Sequence, residues 1–206
     1  MTAKLLLITP EAEASMAYIA RVSSDYQDNP AIARLLKYCI EHGHWSVFEH
    51  AHATFEITTS RAIAAQILRH RSFCFQEFSQ RYSNPTGYVL NEGRKPAEKN
   101  RQSSVAPLED TAQQSWESLQ RILWDNACET YNAAIGMGVS RECARMVLPL
   151  GTETRMYMTG NIRSWIHYLA VRAHPDTQME HRVIAESIRQ QLAEKLPVLA
   201  EALGWL

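Results

Sequence analysis

Residues 51–58, AHATFEIT, are the stretch of sequence that decides the fold. Apolar and polar residues alternate strictly along it, so one face of an extended chain carries alanine, phenylalanine and isoleucine, and the other carries histidine, threonine and glutamate. A strand that is buried on one face only is typical of antiparallel sheets. This stretch therefore predicts a strand in a largely antiparallel sheet.

The sequence on either side of this strand predicts more helix than strand. KLLLI (residues 4–8) and TETRMYMT (residues 152–159) indicate further strands, and Ser60 can cap a helix over residues 61–70. Strands and helices do not alternate regularly, which favours an α+β fold, a central largely antiparallel sheet flanked by helices, over a doubly wound sheet. Apolar spacing predicts the other helices over residues 11–24, 31–43, 109–134, 140–148, 161–173 and 177–195.

Residues 84–108 interrupt this pattern. They gather proline, glycine, asparagine and charged residues, which is typical of an irregular, mobile excursion rather than of a linker between domains. With 206 residues the chain is long enough to bury one substantial core. We therefore expect a single domain over residues 1–206.

Composition narrows the class of protein. The formal net charge of -1 disfavours a protein that wraps nucleic acid, although the 16 arginines against 5 lysines hint at binding of smaller anions. The four cysteines form no CxxC pair, and we find neither a signal-peptide core nor an apolar segment of membrane length. We expect a cytoplasmic protein with neither nucleic acid nor membrane as a partner.

The densest polar segment is RHRSFCFQEFSQRY, residues 69–82. The chain has no GxGxxG loop, Walker loop or HExxH motif, so side chains would have to hold any nucleotide or flavin. On the preceding helix, one face carries Ala62, Ala65, Gln66 and Arg69, where a flat ligand could approach the alanines while the two longer side chains bond to it. The alternative is a solvated helix face whose charges favour the helix dipole.

A second polar set lies in the last third of the chain. Arg163 and His167 are four residues apart on a predicted helix, and Asn161 stands at its cap position. Together with Arg145 and Arg172, this set has three arginines that could bind a phosphate and an acidic imide. The alternative is that these residues are solvated, with Arg172 serving the helix dipole.

A third set is rich in histidine and covers residues 42–52, HGHWSVFEHAH. On a strand, His50 and His52 would share a face and could bind a metal with His44, as in a metal-dependent hydrolase. No carboxylate at firm metal-ligand spacing completes such a site. We therefore expect no metal, and we interpret these histidines as residues that shape a pocket or cap the preceding helix.

Residues 69–82 resemble the signature of flavin-dependent thymidylate synthases, RHRxxSxNExSxRY. The segment departs from it at Cys74, where the family has serine, and at Gln76, where it has asparagine; both replacements keep a small or an amide side chain. The resemblance covers most of the chain, with residues 84–108 as its weakest part. Other blocks look like those of the family and occur in its order: ARVSS (20–24), GHWSVFEH (43–50), ARMVLP (144–149) and NIRSWIHYLAVR (161–172).

The resemblance implies a homotetramer with FAD and dUMP bound where subunits meet. It also implies reductive methylation of dUMP to dTMP, with methylenetetrahydrofolate as the carbon donor and FAD reduced by NADPH. By motif, the flavin contacts fall on Ser46, Arg69, His70, Arg71, Ser72, Glu77, Asn161, Ile162, Arg163 and His167. The nucleotide contacts fall on Gln66, Ile67, Leu68, Arg69, Glu77, Phe78, Ser79, Gln80, Arg81, Arg145 and Arg172.

Arg172, expected against the uracil ring, is the residue assigned to catalysis. Its guanidinium cannot act as a base near neutral pH, but it can stabilise negative charge on the imide and so activate the ring. Ser79 has no evident neighbouring base to make it a nucleophile, so it is assigned to binding. The histidine-rich block would help to receive folate or NADPH.

Two other functions compete with this interpretation. A metal-dependent hydrolase would use the histidine-rich block, and a nucleotide- or RNA-binding module would use the arginines. The near-neutral net charge argues against the second, and the signature with its ordered companion blocks argues against both.

Overall fold

The computed structural model describes residues 1–205. Its main feature is a four-stranded sheet in the order β1-β2-β6-β3, antiparallel throughout, and a separate two-stranded sheet pairs β4 with β5. The strands are β1 (Thr2–Ile8), β2 (His52–Ser60), β3 (Cys74–Glu77), β4 (Arg94–Pro96), β5 (Ser104–Pro107) and β6 (Glu153–Asn161). The antiparallel α+β prediction is confirmed.

The part of the chain that the structure describes also contains eight α-helices. They are α1 (Ala12–Ala20), α2 (Ile32–Glu41), α3 (Arg61–Ile67), α4 (Asp110–Gly136), α5 (Arg141–Ala144), α6 (Ile162–Arg172), α7 (Met179–Lys195) and α8 (Pro197–Leu203), with 3₁₀ turns at Trp45–Glu49 and Arg145–Val147. Within residues 1–205, none of these helices is both long and apolar enough to cross a membrane.

The two central strands, β2 and β6, set the inner face of the sheet. Ala53, Phe55 and Ile57 are at most 1% exposed, and they pack with the helices into one apolar core. On the other face the polar residues pair across the strands, as where the Thr54 and Thr159 hydroxyls lie 3.0 Å apart. The alternation predicted for residues 51–58 is therefore confirmed, because the inner face alone meets the helices.

Several predicted boundaries differ from the observed ones. The helix predicted over residues 61–70 ends at Ile67, because the next amides make short turn bonds: Arg69 bonds to the Gln66 carbonyl and His70 to that of Ile67. The first helix ends at Ala20, where the Arg21 guanidinium ties the chain to the following loop. Helix α8, which was not predicted, starts at a proline, a favourable first helical residue.

The prediction of an irregular excursion over residues 84–108 is wrong in part. The segment contains the β4–β5 pair, and Arg94 donates to Glu180 of α7 over 2.6 Å, with side chains only 11% and 5% exposed. Gln120 of α4 accepts from the backbone amide of Asn91 and donates to its carbonyl. The polar residues that suggested irregular structure therefore anchor this segment to two helices.

Gly160 marks a close approach between β6 and the ring of Phe73. A Cβ at this position would lie 2.4 Å from a ring carbon. The ring also meets Trp165 edge-on, with centroids 4.7 Å apart, and is 8% exposed. Since the ring has no free space to move into, the glycine is needed for the packing of Phe73.

We expect Gly160→Ala to lower the free energy of unfolding by roughly 1–3 kcal/mol, because it overpacks a filled core. Gly136→Ala is the matched control, since a Cβ there meets nothing within 4 Å. It should change the free energy by less than about 1 kcal/mol. Urea unfolding followed by tryptophan fluorescence measures both, and equal effects of the two variants would contradict the role given to Phe73.

A polar pair is buried between α6 and α7. The Tyr168 hydroxyl lies 3.0 Å from Nε2 of His181, whose side chain is 0% exposed. Burial is the largest cause that lowers the pKa of His181 from 6.5 to about 3, and the positive charge of Arg172 adds to it. The unfolded chain therefore takes up a proton at this histidine at a pH where the folded chain does not.

His181 should make the protein less stable in acid. Because its pKa is lowered on folding, its contribution is complete above about pH 6.5 and is lost as the pH falls towards about 3, at up to about 1.4 kcal/mol per pH unit. Urea unfolding of the wild type and of His181→Asn at pH 7.5, 6 and 5, at one protein concentration, measures the contribution of His181 to the free energy of unfolding. Parallel pH dependences of the two proteins would refute it.

Candidate functional site

Two strand-to-helix junctions build the site. Ser60 ends β2 and its hydroxyl accepts from the amide of Ile63; Asn161 ends β6 and its side-chain oxygen accepts from the amide of Ser164 at 2.8 Å. Both predicted caps are confirmed. Each cap starts a helix that packs on the inner face of the sheet, α3 in one case and α6 in the other.

The two helices end side by side, which brings His70 and Arg172 together. Nε of Arg172 donates to Nε2 of His70 over 2.8 Å. The His70 ring packs edge-on against Tyr168, with centroids 5.0 Å apart. Residues from two of the polar sets in the sequence, 102 positions apart, therefore meet directly.

His70 is neutral in this contact. Burial is the largest cause that lowers its pKa from 6.5 to about 4, followed by the positive charges of Arg172, His167 and Arg69. Because Nε2 accepts a hydrogen bond, the ring proton is on Nδ1. The histidine thus orients the guanidinium and leaves the terminal nitrogens of Arg172, with four N–H groups, free for another partner.

A cleft of about 740 Å³ lies between the 3₁₀ turn at Trp45–Glu49 and α6. Its apolar walls come from Trp45, Ile166 and Ala170. Four of its polar residues were predicted to contact flavin, namely Ser72, Asn161, Arg163 and His167, and Glu49 and Ser164 are polar residues that were not.

Two polar residues of this cleft already have structural partners. Asn161 uses its oxygen as the cap of α6, which leaves its Nδ2 group as a free donor at the cleft. Arg163 forms an ion pair with Glu49 across the cleft, and both side chains are about half exposed. An exposed pair of this kind contributes little to stability and can be exchanged.

A second cleft, of about 470 Å³, is lined by nucleotide candidates Ser79 and Arg81 and by residues 140–142. Arg81 pairs with Glu142 at 3.1 Å, and Nε of Arg145 donates to the backbone carbonyl of the same glutamate over 3.3 Å. Two arginines predicted to contact the nucleotide, Arg81 and Arg145, are therefore grouped around Glu142. The two clefts have no lining residue in common.

Glu77, predicted to contact both ligands, is held in place by its neighbours. One of its carboxylate oxygens accepts from Arg61 over 3.0 Å and from the Thr154 hydroxyl over 2.9 Å. Arg61 is the first residue of α3, so this ion pair ties the signature segment to the helix that precedes it. The carboxylate keeps its second oxygen for a ligand.

Other predicted contacts are placed less favourably for side-chain binding. Ile67 and Ile162 are at most 1% exposed and belong to the core, so they offer a ligand only backbone atoms. Gln80 is 5% exposed, and its Nε2 group has no hydrogen-bond partner within the described chain. The remaining predicted contacts are exposed or half-buried: Ser46, Gln66, Leu68, Arg69, Arg71 and Phe78.

The histidine-rich block does not converge on one point. His42 stacks on Tyr38 and its ring bonds to the Tyr38 carbonyl, which caps the end of α2 as one of the two interpretations predicted. His50 and His52 are exposed. Within residues 1–205, no group of three or more histidine, cysteine, aspartate or glutamate residues is placed to hold a metal ion.

Sequence reasoning missed several residues that support the site, above all Arg61, Glu142, Tyr168 and His181. One of them left a signal. His181 precedes Ile184, Ala185 and Ile188 at helical spacing, so it belongs to the apolar stripe of α7 and should have been predicted as buried. The partners of Arg61 and Glu142 come from distant segments and left no such signal.

Comparisons with known proteins agree with this geometry. The sequence model described as "Thymidylate synthase complementing protein" matches residues 4–198. A flavin-dependent thymidylate synthase of Synechocystis is 49% identical over 193 residues, which cover 94% of this chain and 90% of that protein. A probable flavin-dependent thymidylate synthase of Paramecium bursaria Chlorella virus 1 is 44% identical and matches over the full length of both chains.

A solved structure is also similar in fold. The UMP/dUMP methylase PolB from Streptomyces cacaoi, bound with 5-Br dUMP, superposes with a TM-score of 0.87 at 27% sequence identity, covering 98% of this chain and 94% of that one. The family match and the full-length relatives rest on sequence, and this superposition rests on the fold. The chain therefore belongs to the family of flavin-dependent thymidylate synthases.

Proposed function

We propose that this chain methylates dUMP to dTMP, with methylenetetrahydrofolate as the carbon donor and FAD reduced by NADPH. Family membership supports the reaction, and the PolB structure, a UMP/dUMP methylase, supports the nucleotide as substrate. The observation that carries the proposal is the contact between Arg172 and His70, which presents a guanidinium beside the signature segment.

Arg172 would act on the uracil ring by charge. Neutral His70 accepts a hydrogen bond from the Nε–H group of Arg172, which fixes the orientation of the guanidinium. The N–H groups on its two terminal nitrogens therefore point in fixed directions. Donors fixed before the reaction stabilise negative charge that develops on the imide more than they stabilise the uncharged ring. This polarises the ring towards reaction at carbon, without proton transfer by the arginine.

FAD fits the cleft beside α6. A flavin ring needs apolar walls and a few polar groups at its edge, and the cleft offers Trp45 and Ile166 together with Asn161, Ser72 and Arg163. The proposed contact set is completed by Ser46, Arg69, His70, Arg71, Glu77, Ile162 and His167. When bound, the flavin supplies the reducing equivalent, and the chain supplies placement and exclusion of water.

The nucleotide phosphate would bind at the second cleft. Ser79 offers a hydroxyl donor, and Arg81 and Arg145 offer guanidinium groups that suit phosphate oxygens. In the isolated chain Arg81 forms an ion pair with Glu142, so phosphate binding would replace this exposed ion pair with another. Gln66, Glu77 and the backbone of residues 67–68 and 78–80 would complete the nucleotide site.

We further propose one functional domain over residues 1–206 that assembles as a homotetramer with sites at subunit interfaces. Helix α4 supports this assembly because it exposes a group of apolar residues that a second subunit could cover: Leu119, Ile122 and Leu123 are 51–60% exposed. Folate and NADPH would be received near the histidine-rich block. The four free thiols, which fit a reducing compartment, support a cytoplasmic location.

Replacement of Arg172 by lysine should lower kcat by about 10²- to 10³-fold, because one preorganised charge-stabilising group is lost. Lysine keeps a positive charge but lacks the planar fork that His70 orients. Arg34→Lys, on the exposed side of α2, is the matched control and should keep wild-type turnover. dTMP formation measured with saturating dUMP, folate and NADPH gives both values; a kcat for Arg172→Lys within threefold of wild type would refute the role.

The Asn161→Asp variant should distinguish the two roles of Asn161, the cap of α6 and the proposed contact with flavin. Aspartate keeps the oxygen that caps α6 and suits a helix N-terminus, but it removes the Nδ2 donor at the cleft. We expect unchanged urea unfolding and a Kd for FAD roughly five- to tenfold higher, measured by titrating flavin-free protein. Asn100→Asp is the matched control, since it makes the same change on an exposed loop and keeps the oxygen that accepts from the Gln102 amide; its FAD affinity should be unchanged. Unaltered FAD binding by Asn161→Asp would argue against this cleft.

A further inference from the structure

A hydrogen-bonded chain that the reaction does not use runs from the segment 84–108 to Gln66. Arg94 donates to one oxygen of Glu180 over 2.6 Å, and the other oxygen accepts from Nε2 of Gln178 over 2.9 Å. Oε1 of Gln178 then accepts from Nε2 of Gln66 over 2.7 Å. The chain therefore connects β4 to α3 through the start of α7.

The chain continues into the core through His181. Its Nδ1 lies 3.3 Å from Oε1 of Gln66, and its Nε2 lies 3.0 Å from the Tyr168 hydroxyl. His181 is 0% exposed, whereas Gln66 is half-buried. A buried histidine therefore contacts the amide that the proposed nucleotide site uses.

The direction of every bond in this chain is fixed by its carboxylate end. A carboxylate paired with an arginine can only accept, so Gln178 must turn its NH₂ group to Glu180 and its oxygen to Gln66. Gln66 must then donate to Gln178 and turn its own oxygen to His181. That oxygen needs a donor, so His181 carries its proton on Nδ1 and accepts from Tyr168 at Nε2.

We propose that His181 is a positioning residue for the nucleotide, which holds the Gln66 amide in one of its two orientations. The inference rests on the proposed function, in which Gln66 contacts dUMP. With one N–H given to Gln178 and one lone pair used by His181, the amide offers a single N–H and a single lone pair in fixed places. Reversal of the amide would exchange them and mismatch the substrate.

Three variants around one side chain test the proposal. His181→Leu fills the space but removes the donor, so the KM for dUMP should rise roughly three- to tenfold while kcat stays within twofold. His181→Asn puts an NH₂ group where Nδ1 stood and should keep KM within twofold of wild type. Tyr168→Phe removes only the partner of Nε2 and should also keep KM within twofold. Circular dichroism checks that each variant is folded.

Two further measurements complete the experiment: the KM of a Gln66 variant and the position of the ring proton of His181. Gln66→Ala should raise the KM for dUMP at least as much as His181→Leu; a wild-type KM for Gln66→Ala would overturn the inference. Nitrogen-15 NMR of histidine-labelled protein with bound FAD should show His181 neutral with its proton on Nδ1. In Glu180→Gln, where the end of the chain can donate or accept, a second tautomer should appear.

The outcomes separate this inference from the proposed function. A wild-type KM for His181→Leu, equal impairment of the asparagine and leucine variants, or a wild-type proton on Nε2 would overturn the positioning role while dTMP formation stands. A wild-type protein that forms no dTMP with all co-substrates present would overturn the proposed function. The NMR result would still decide the direction of the hydrogen-bonded chain.

Discussion

The antiparallel pairing of β2 with β6 is the constraint on which the site depends. Nine residues of each strand pair in unbroken register, from His52 opposite Asn161 to Ser60 opposite Glu153. Each strand runs straight into a helix, and antiparallel pairing places the two junctions at opposite ends of the sheet. The helices fold back on the same face, so their far ends, which carry His70 and Arg172, meet over the core.

The apolar core makes this meeting chemically useful. Phe73, Trp165 and Tyr168 pack edge-to-face around the junction, and they keep water from His70 and His181. Burial keeps both histidines neutral, so each ring has one donor and one acceptor nitrogen. A protonated ring would offer two donors and would repel the Nε–H group of Arg172. The same packing that makes Gly160 necessary therefore sets the direction of hydrogen bonds in the site.

The sequence predicted what depends on local pattern. Alternation predicted β2, apolar spacing predicted α6 and α7, and the helix caps were predicted at Ser60, which begins α3, and at Asn161. The sequence could not predict contacts between distant segments, such as Arg61 with Glu77 or Arg94 with Glu180, because nothing local marks either partner. For the same reason the segment 84–108 was interpreted as irregular, although its polar residues bind α4 and α7.

Two of the proposed ligand-binding arginines are in ion pairs in the isolated chain. Arg81 pairs with Glu142 at one cleft, and Arg163 pairs with Glu49 at the other. Exposed pairs of this kind stabilise by less than about 1 kcal/mol, so a phosphate or a flavin edge can displace the carboxylate at little cost. Arg172 differs, because its partner is a neutral histidine that leaves its full positive charge uncompensated. The charges of Arg81 and Arg163 are thus held in exchangeable pairs, while the charge of Arg172, assigned to catalysis, has no carboxylate partner.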